Sequence, residues 1–151
     1  MSQAPFLPAL RALVEAYQAF EAYSGAHIRA IDLTPSQFDI IATLGNTPGM
    51  PLNELGAKTL ITKGTLTGVV DRLSDKQLVR RIASSSDGRS QIVQLTPQGE
   101  AMFERIFPAH IKHMERAFVA LPPHELAGTE AALQRLREGF LAARASMEKA
   151  E

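Results

Sequence analysis

The sequence predicts a mainly α-helical chain that carries one small β-hairpin. Three observations predict it. Apolar residues recur at three-to-four spacing through most of the chain; a Thr-Pro pair twice stands where a helix should begin; and residues 78–95 alone hold short alternating segments around a polar, turn-forming tip. At 151 residues there is room for one compact domain, or for a small reader plus helices that pair with a second copy.

From Pro8 to Ile31, the residues Leu10, Val14, Tyr17, Phe20, Tyr23, His27, Ile28 and Ile31 mark one face of a long helix. Thr34-Pro35-Ser36-Gln37 then supplies an N-cap, a proline at the first helical position and a glutamine three residues after the cap. The helix it starts carries Phe38, Ile41 and Leu44 inward and ends at Gly45-Asn46. Thr47 to Met50 reads as a turn, and the next helix runs from Pro51 to Lys58, burying Leu52 and Leu55, with Leu60 behind them. Thr62 is placed to cap a further helix reaching Lys76, whose Leu66, Val69, Val70 and Leu73 form one buried stripe.

The opposite face of that helix is Lys63, Gly64, Thr65, Thr67, Gly68, Asp71 and Arg72. Each of its two glycines costs about 1 kcal/mol of helix stability relative to alanine. Close approach to the floor and walls of a major groove explains glycines on an outer face; packing does not.

Leu78 to Ala83 and Gln91 to Leu95 read as paired strands, with Ser84 to Ser90 as their polar tip. Thr96-Pro97 restarts a helix by the same cap-then-proline device. Its stripe is Phe103, Ile106, His110, Met114, Ala117, Phe118 and Leu121, and Pro108 inside it should kink it. Pro122-Pro123 breaks the chain before a last amphipathic helix with Leu126, Leu133, Leu136, Phe140 and Met147.

The formal net charge is zero, but it is unevenly spread. Between Lys58 and Arg89 stand seven basic residues and three acidic ones, a local excess of four positive charges. A neutral chain that gathers its positive charge on one segment suits an anionic partner touched by one face, such as DNA phosphates. Without cysteine there is no disulfide, thiol nucleophile or thiolate metal site. No apolar run is long enough for a membrane span and the start has no signal-peptide pattern, so no membrane association and a cytoplasmic location are expected. No Gly-rich phosphate loop, serine nucleophile elbow or carboxylate pair beside a histidine is present, so neither catalysis nor a cofactor is expected.

Two helices followed by a hairpin with a charged tip is the order of a winged helix-turn-helix. With these residues laid out, the chain resembles the multiple-antibiotic-resistance regulator (MarR) family of winged-helix transcription regulators over nearly its full length. The resemblance is carried by Leu33-Thr34-Pro35-Ser36-Gln37-Phe38, Asn53-Glu54-Leu55, Val69-Val70-Asp71-Arg72-Leu73, Asp87-Gly88-Arg89, Val93-Gln94-Leu95-Thr96 and Gly99. It implies one domain over 1–151, with the winged reader at 34–98 and dimerisation helices at 5–31 and 97–148. It further implies a homodimer that sets two readers on double-stranded operator DNA, as a repressor released by a small aromatic ligand; a zinc-sensing repressor and a ligand-independent DNA-binding protein are the alternatives.

On that resemblance, Arg89 enters the minor groove, Asp87 braces the wing, and the start of the recognition helix reads base edges. Lys63, Thr65 and Thr67 are then candidates for base edges or phosphates, with Thr62, Gly64 and Gly68 beside them on the DNA-binding face, and Arg72, Arg80 and Arg81 are the phosphate candidates. Two departures from the family stand out. Gln77 replaces a usual glycine, so a non-glycine residue is expected in a left-handed conformation, and Gly56 replaces a usual alanine. Because the family binds aromatic acids between the dimer helices and the reader, Tyr17, Tyr23, His27 and Phe38 are candidate pocket residues, though filler side chains would look the same. Some relatives sense zinc, and His110 and His113, one helical turn apart, are either a metal pair or packed residues of the apolar stripe.

Overall fold

The computed structural model describes residues 4–59, 61–84 and 91–150. Its order is α1 (Leu7–Ala30), α2 (Pro35–Leu44), β1 (Met50–Pro51), α3 (Leu52–Lys58), α4 (Lys63–Asp75), β2 (Val79–Ala83), β3 (Gln91–Leu95), α5 (Pro97–Phe118) and α6 (Pro123–Ala150). The chain divides into two units, Met1–Met114 and Glu115–Glu151. The mainly helical architecture with a β-hairpin is as expected, and every expected helix is present within a few residues.

The local chemistry that starts and stops these helices is visible atom by atom. At α2 the capping box closes: the Gln37 N–H donates to Thr34 Oγ1 at 3.2 Å, and the Thr34 N–H to Gln37 Oε1 at 3.1 Å. At α5 Thr96 Oγ1 accepts from the Gly99 N–H at 3.0 Å. Thr62 corrects the third expected cap. It holds the N-cap position of α4 with extended backbone, but its hydroxyl donates to Thr65 Oγ1 at 3.1 Å and makes no bond to the helix backbone.

Gln77 does take the left-handed conformation, with φ of 62°. It closes a Schellman end to α4: the Gln77 N–H donates to Ser74 O and the Leu78 N–H to Leu73 O, while Leu73 and Leu78 are both buried. Thr96 then ties this turn to α5, its N–H donating to Leu78 O at 3.0 Å and its hydroxyl to Gln77 O at 2.6 Å. Gly99 belongs to the same junction, since a Cβ there would collide with the Leu78 carbonyl oxygen.

One strand escaped the sequence reading. Met50–Pro51, expected to be turn and helix start, pairs antiparallel with β3 through Met50↔Val93 and Pro51↔Ile92. The sheet is therefore three-stranded, in the order β1-β3-β2, with β2 and β3 in register from Val79↔Leu95 to Ala83↔Gln91. Gly49, at φ of 97° and with Val93 O where a Cβ would lie, makes the tight entry into β1.

The core sits among α2, α3, α4 and the sheet, with α1 and α5 contributing to it. Ile40, Ile41 and Leu44 of α2, Leu55 of α3, Leu66, Val70 and Leu73 of α4, and Val79 and Val93 of the sheet are fully buried, each contributing about 2 kcal/mol of apolar burial. Phe103 and Ile106 of α5 and Ile28 of α1 complete it. Leu52 is only half-buried, and Leu60 lies outside the described residues. Large apolar residues of α1, among them Val14, Tyr17 and Phe20, are about half exposed, and α5 continues through Pro108. In the second unit, α6 has no buried residue.

Candidate nucleic-acid interface

The outer face of α4 is built by subtraction. Once Leu66, Val69, Val70 and Leu73 turn inward, Lys63, Gly64, Thr65, Thr67, Asp71 and Arg72 are left exposed, with Gly68 half-buried among them. Among the described residues, a Cβ added to Gly64 or to Gly68 would meet nothing within 4 Å. Neither glycine makes room for a neighbour among them. Gly56 on α3 differs: a Cβ there would lie 3.1 Å from Leu66 Cδ2, so the alanine usual at this position would press on the stripe of α4.

The arginines on β2 point to opposite sides of the strand, as successive strand residues must. Arg81 reaches α4, where Nη1 is 2.7 Å from Asp71 Oδ1. It thereby holds the hairpin against the helix, an engagement that the expectation of two equivalent phosphate contacts had not included. Arg80 is exposed, and its Nε donates to Gln94 Oε1 at 2.5 Å, while Gln94 Nε2 reaches Pro48 O at 3.3 Å. That chain ties β2 to β3 and β3 to the turn that precedes β1. Asp87 and Arg89 lie outside the described residues.

Of the four candidate pocket residues, Tyr17 and Phe38 line a cavity of about 570 Å³ between α1, α2 and α5, together with Phe20, Ser24, His110 and Met114. Tyr23 and His27 do not line it. They stand behind it in a stack of rings: His113 lies 3.9 Å from Tyr23 and 4.7 Å from His27, centroid to centroid, and Phe38 packs on His110 at 4.5 Å. His27 Nδ1 and His110 Nδ1 are 2.9 Å apart. Tyr23 and His113 bond reciprocally, the tyrosine hydroxyl donating to the His113 carbonyl at 2.6 Å and His113 Nε2 to the Tyr23 carbonyl at 2.9 Å.

His110 and His113, weighed as a metal pair, thus have their ring nitrogens turned to different partners. Among the described residues no group of three or more His, Cys, Asp or Glu forms a ligand set. Burial, and then the neighbouring His113, lower the pKa of His27 below the ordinary 6.5. Burial, then His27, then His113 do the same to His110. The sequence reading missed Ser24 as a cavity residue. A small polar residue one turn before His27 on an otherwise apolar face was the available signal.

The MarR family model matches residues 33–91, from the α2 cap to the first residue of β3. The HTH-type transcriptional regulator MhqR of Bacillus subtilis is 32% identical over 114 residues, spanning 76% of this chain and 79% of the relative. The chain belongs to the MarR family. It is a transcription regulator and not an enzyme, as the motif resemblance implied. The homoprotocatechuate degradative operon repressor of Escherichia coli is 30% identical over 94 residues, 62% of this chain and 64% of the relative. A solved structure of BpsR of Bordetella bronchiseptica, whose DNA binding is regulated by 6-hydroxynicotinic acid, is 26% identical. It superposes with a TM-score of 0.79 over 91% of this chain and 98% of its own. No helix among the described residues of this MarR-family chain is long and apolar enough to cross a membrane.

Proposed function

We infer that this chain acts as a cytoplasmic homodimeric repressor. It lays the outer face of α4 in the major groove of a pseudo-palindromic operator and leaves the DNA when an aromatic acid enters the cavity between α1, α2 and α5. The observation that carries the reading is the α4 face itself, where Gly64 and Gly68 have no packing neighbour at a Cβ position among the described residues, amid exposed Lys63, Thr65, Thr67 and Arg72. A helix surface without side-chain bulk, edged by hydroxyls and cations, brings backbone close to base edges and charge close to phosphates.

In this reading Thr62, Lys63, Thr65 and Thr67 meet base edges or nearby phosphates, Arg72 and Arg80 meet phosphates, and Arg89 enters the minor groove beside Asp87. Arg81 sets the angle of the hairpin through Asp71. Dimerisation is supported by the exposed apolar residues of α1 and α6. Repression is supported by the Escherichia coli relative, and release by an aromatic acid by BpsR together with the aromatic lining of the cavity.

Selection of bound fragments from random duplex DNA tests the core of this reading. The expected result is a palindromic consensus with half-sites about one helical turn apart, released by 6-hydroxynicotinate or benzoate. A protein that sediments as a monomer, or that prefers no duplex over bulk competitor, would overturn it. Arg89→Ala is expected to weaken operator binding about tenfold in a gel shift at fixed salt, with the melting temperature unchanged.

A further inference from the structure

The effector cavity ends on two polar groups, Ser24 and His110, each only 6% exposed. Ser24 Oγ stands 3.4 Å from His110 Nε2, and across the same imidazole His110 Nδ1 meets His27 Nδ1 at 2.9 Å. Two ring nitrogens at that distance share one hydrogen, so one ring donates and the other accepts. The arrangement has a consequence for charge. If His110 donates through Nδ1, it can carry a second hydrogen on Nε2 and become an imidazolium without losing its bond to a neutral His27.

Charged and titratable groups surround this imidazole. The cavity is lined by Glu21 and Arg29 of α1 and Asp39 of α2, while His27 of α1 and His113 of α5 lie against His110 itself. Arg29 folds back along its own helix, its Nη1 2.8 Å from where a Cβ on Gly25 would be. An anion placed against a neutral imidazole favours the charged form of that ring, so its arrival draws a proton onto it. Of the titratable side chains that line the cavity, Tyr17, Glu21, Arg29, Asp39 and His110, histidine is the type that changes charge near neutral pH.

We propose that the cavity binds an aromatic carboxylate together with one proton, the carboxylate accepting from Ser24 Oγ and His110 Nε2 while the added proton resides on the His27–His110 pair. This rests on the aromatic-acid reading above and adds to it a direction: effector binding strengthens as pH falls. Burial keeps both imidazoles below their ordinary pKa, so near pH 7 the proton is taken from solvent when the ligand arrives.

Calorimetric titration of the full-length protein with benzoate, at one pH in buffers of different ionisation enthalpy, tests it. The expected slope of binding enthalpy against buffer enthalpy is about one proton taken up, and affinity is expected to fall about tenfold per pH unit between pH 7 and 8. Benzamide, the neutral isostere, is expected to bind without proton uptake or not at all. In His110→Gln, whose fold is checked by circular dichroism, benzoate affinity should be weaker and flat with pH. Benzoate or 6-hydroxynicotinate binding to the wild type with zero proton uptake overturns the proton linkage and leaves the effector reading standing. Failure of both acids and of benzamide to bind at any pH overturns the effector reading and the linkage with it.

Discussion

In α4 the apolar stripe of Leu66, Val69, Val70 and Leu73 is at most 4% exposed, whereas in α6 Leu133, Phe140 and Met147 are 50%, 55% and 71% exposed. Both helices show three-to-four spacing, and their fates differ. Periodicity records that a face requires cover; it does not record where the cover comes from. For α4 the cover is α2, α3 and the sheet of the same chain. For α6, and for Val14, Tyr17 and Phe20 in α1, the cover we propose is a second copy of the chain.

The widest expected gap between the two helices comes from opposite substitutions. Leu73→Ala should lower unfolding free energy by about 2–5 kcal/mol, read from a urea midpoint. The double change Leu133→Glu with Phe140→Glu should dissociate the dimer in sedimentation while leaving the methyl NMR shifts of Leu55 and Leu73 in place. If those shifts collapse, the α6 face supports the reader core and the contrast fails.

Glycines sharpen the same contrast at smaller amplitude. Gly99→Ala drives a methyl into the Leu78 carbonyl and should destabilise by about 1–3 kcal/mol. Gly64→Ala, with open space around it, should instead stabilise α4 by about 1 kcal/mol and weaken operator binding in a gel shift. Stronger binding by this variant would remove close approach as the reason for the glycine.

The contact of α1 with α5 is covered within the chain and responds to pH. His27 and His110 have lowered pKa values in the folded state, so below the ordinary 6.5 the unfolded chain binds protons more readily than the folded one. Stability is therefore full above that value and declines as pH falls through the folded-state values. The melting temperature should drop between pH 7 and 5, and His110→Gln should flatten the profile. The smallest effect is expected at Gln77→Gly, a gain of up to about 1 kcal/mol from relief of the left-handed backbone, measured as a shift in urea midpoint.

Much of the reader was legible because its signals are local. Thr34 with Gln37, and Thr96 with Gly99, cap through atoms three residues apart, and the left-handed Gln77 follows from where α4 must end. β1 was not legible, since two residues ending in proline carry no alternation, and they are a strand only because β3 offers an edge. Thr62 takes the cap position without the cap bond, its hydroxyl turned to Thr65 three residues on. The Asp71–Arg81 pair and the His27–His110 contact join residues far apart in sequence, where spacing says nothing. The cavity was legible in part: Tyr17 and Phe38 line it, but the aromatic periodicity of α1 did not distinguish Tyr23 and His27, which stand behind it, from Ser24, which faces in.

Tyr23 and His113 each give a side-chain hydrogen to the other's main-chain carbonyl. Displacing α5 along α1 by a single residue would carry both carbonyls out of reach at once. The two helices are thereby pinned in axial register, and relative movement at this point is confined to swivelling about the pin. In the proposed ligand response, a rearrangement would pass through this joint as a tilt and not as a slide.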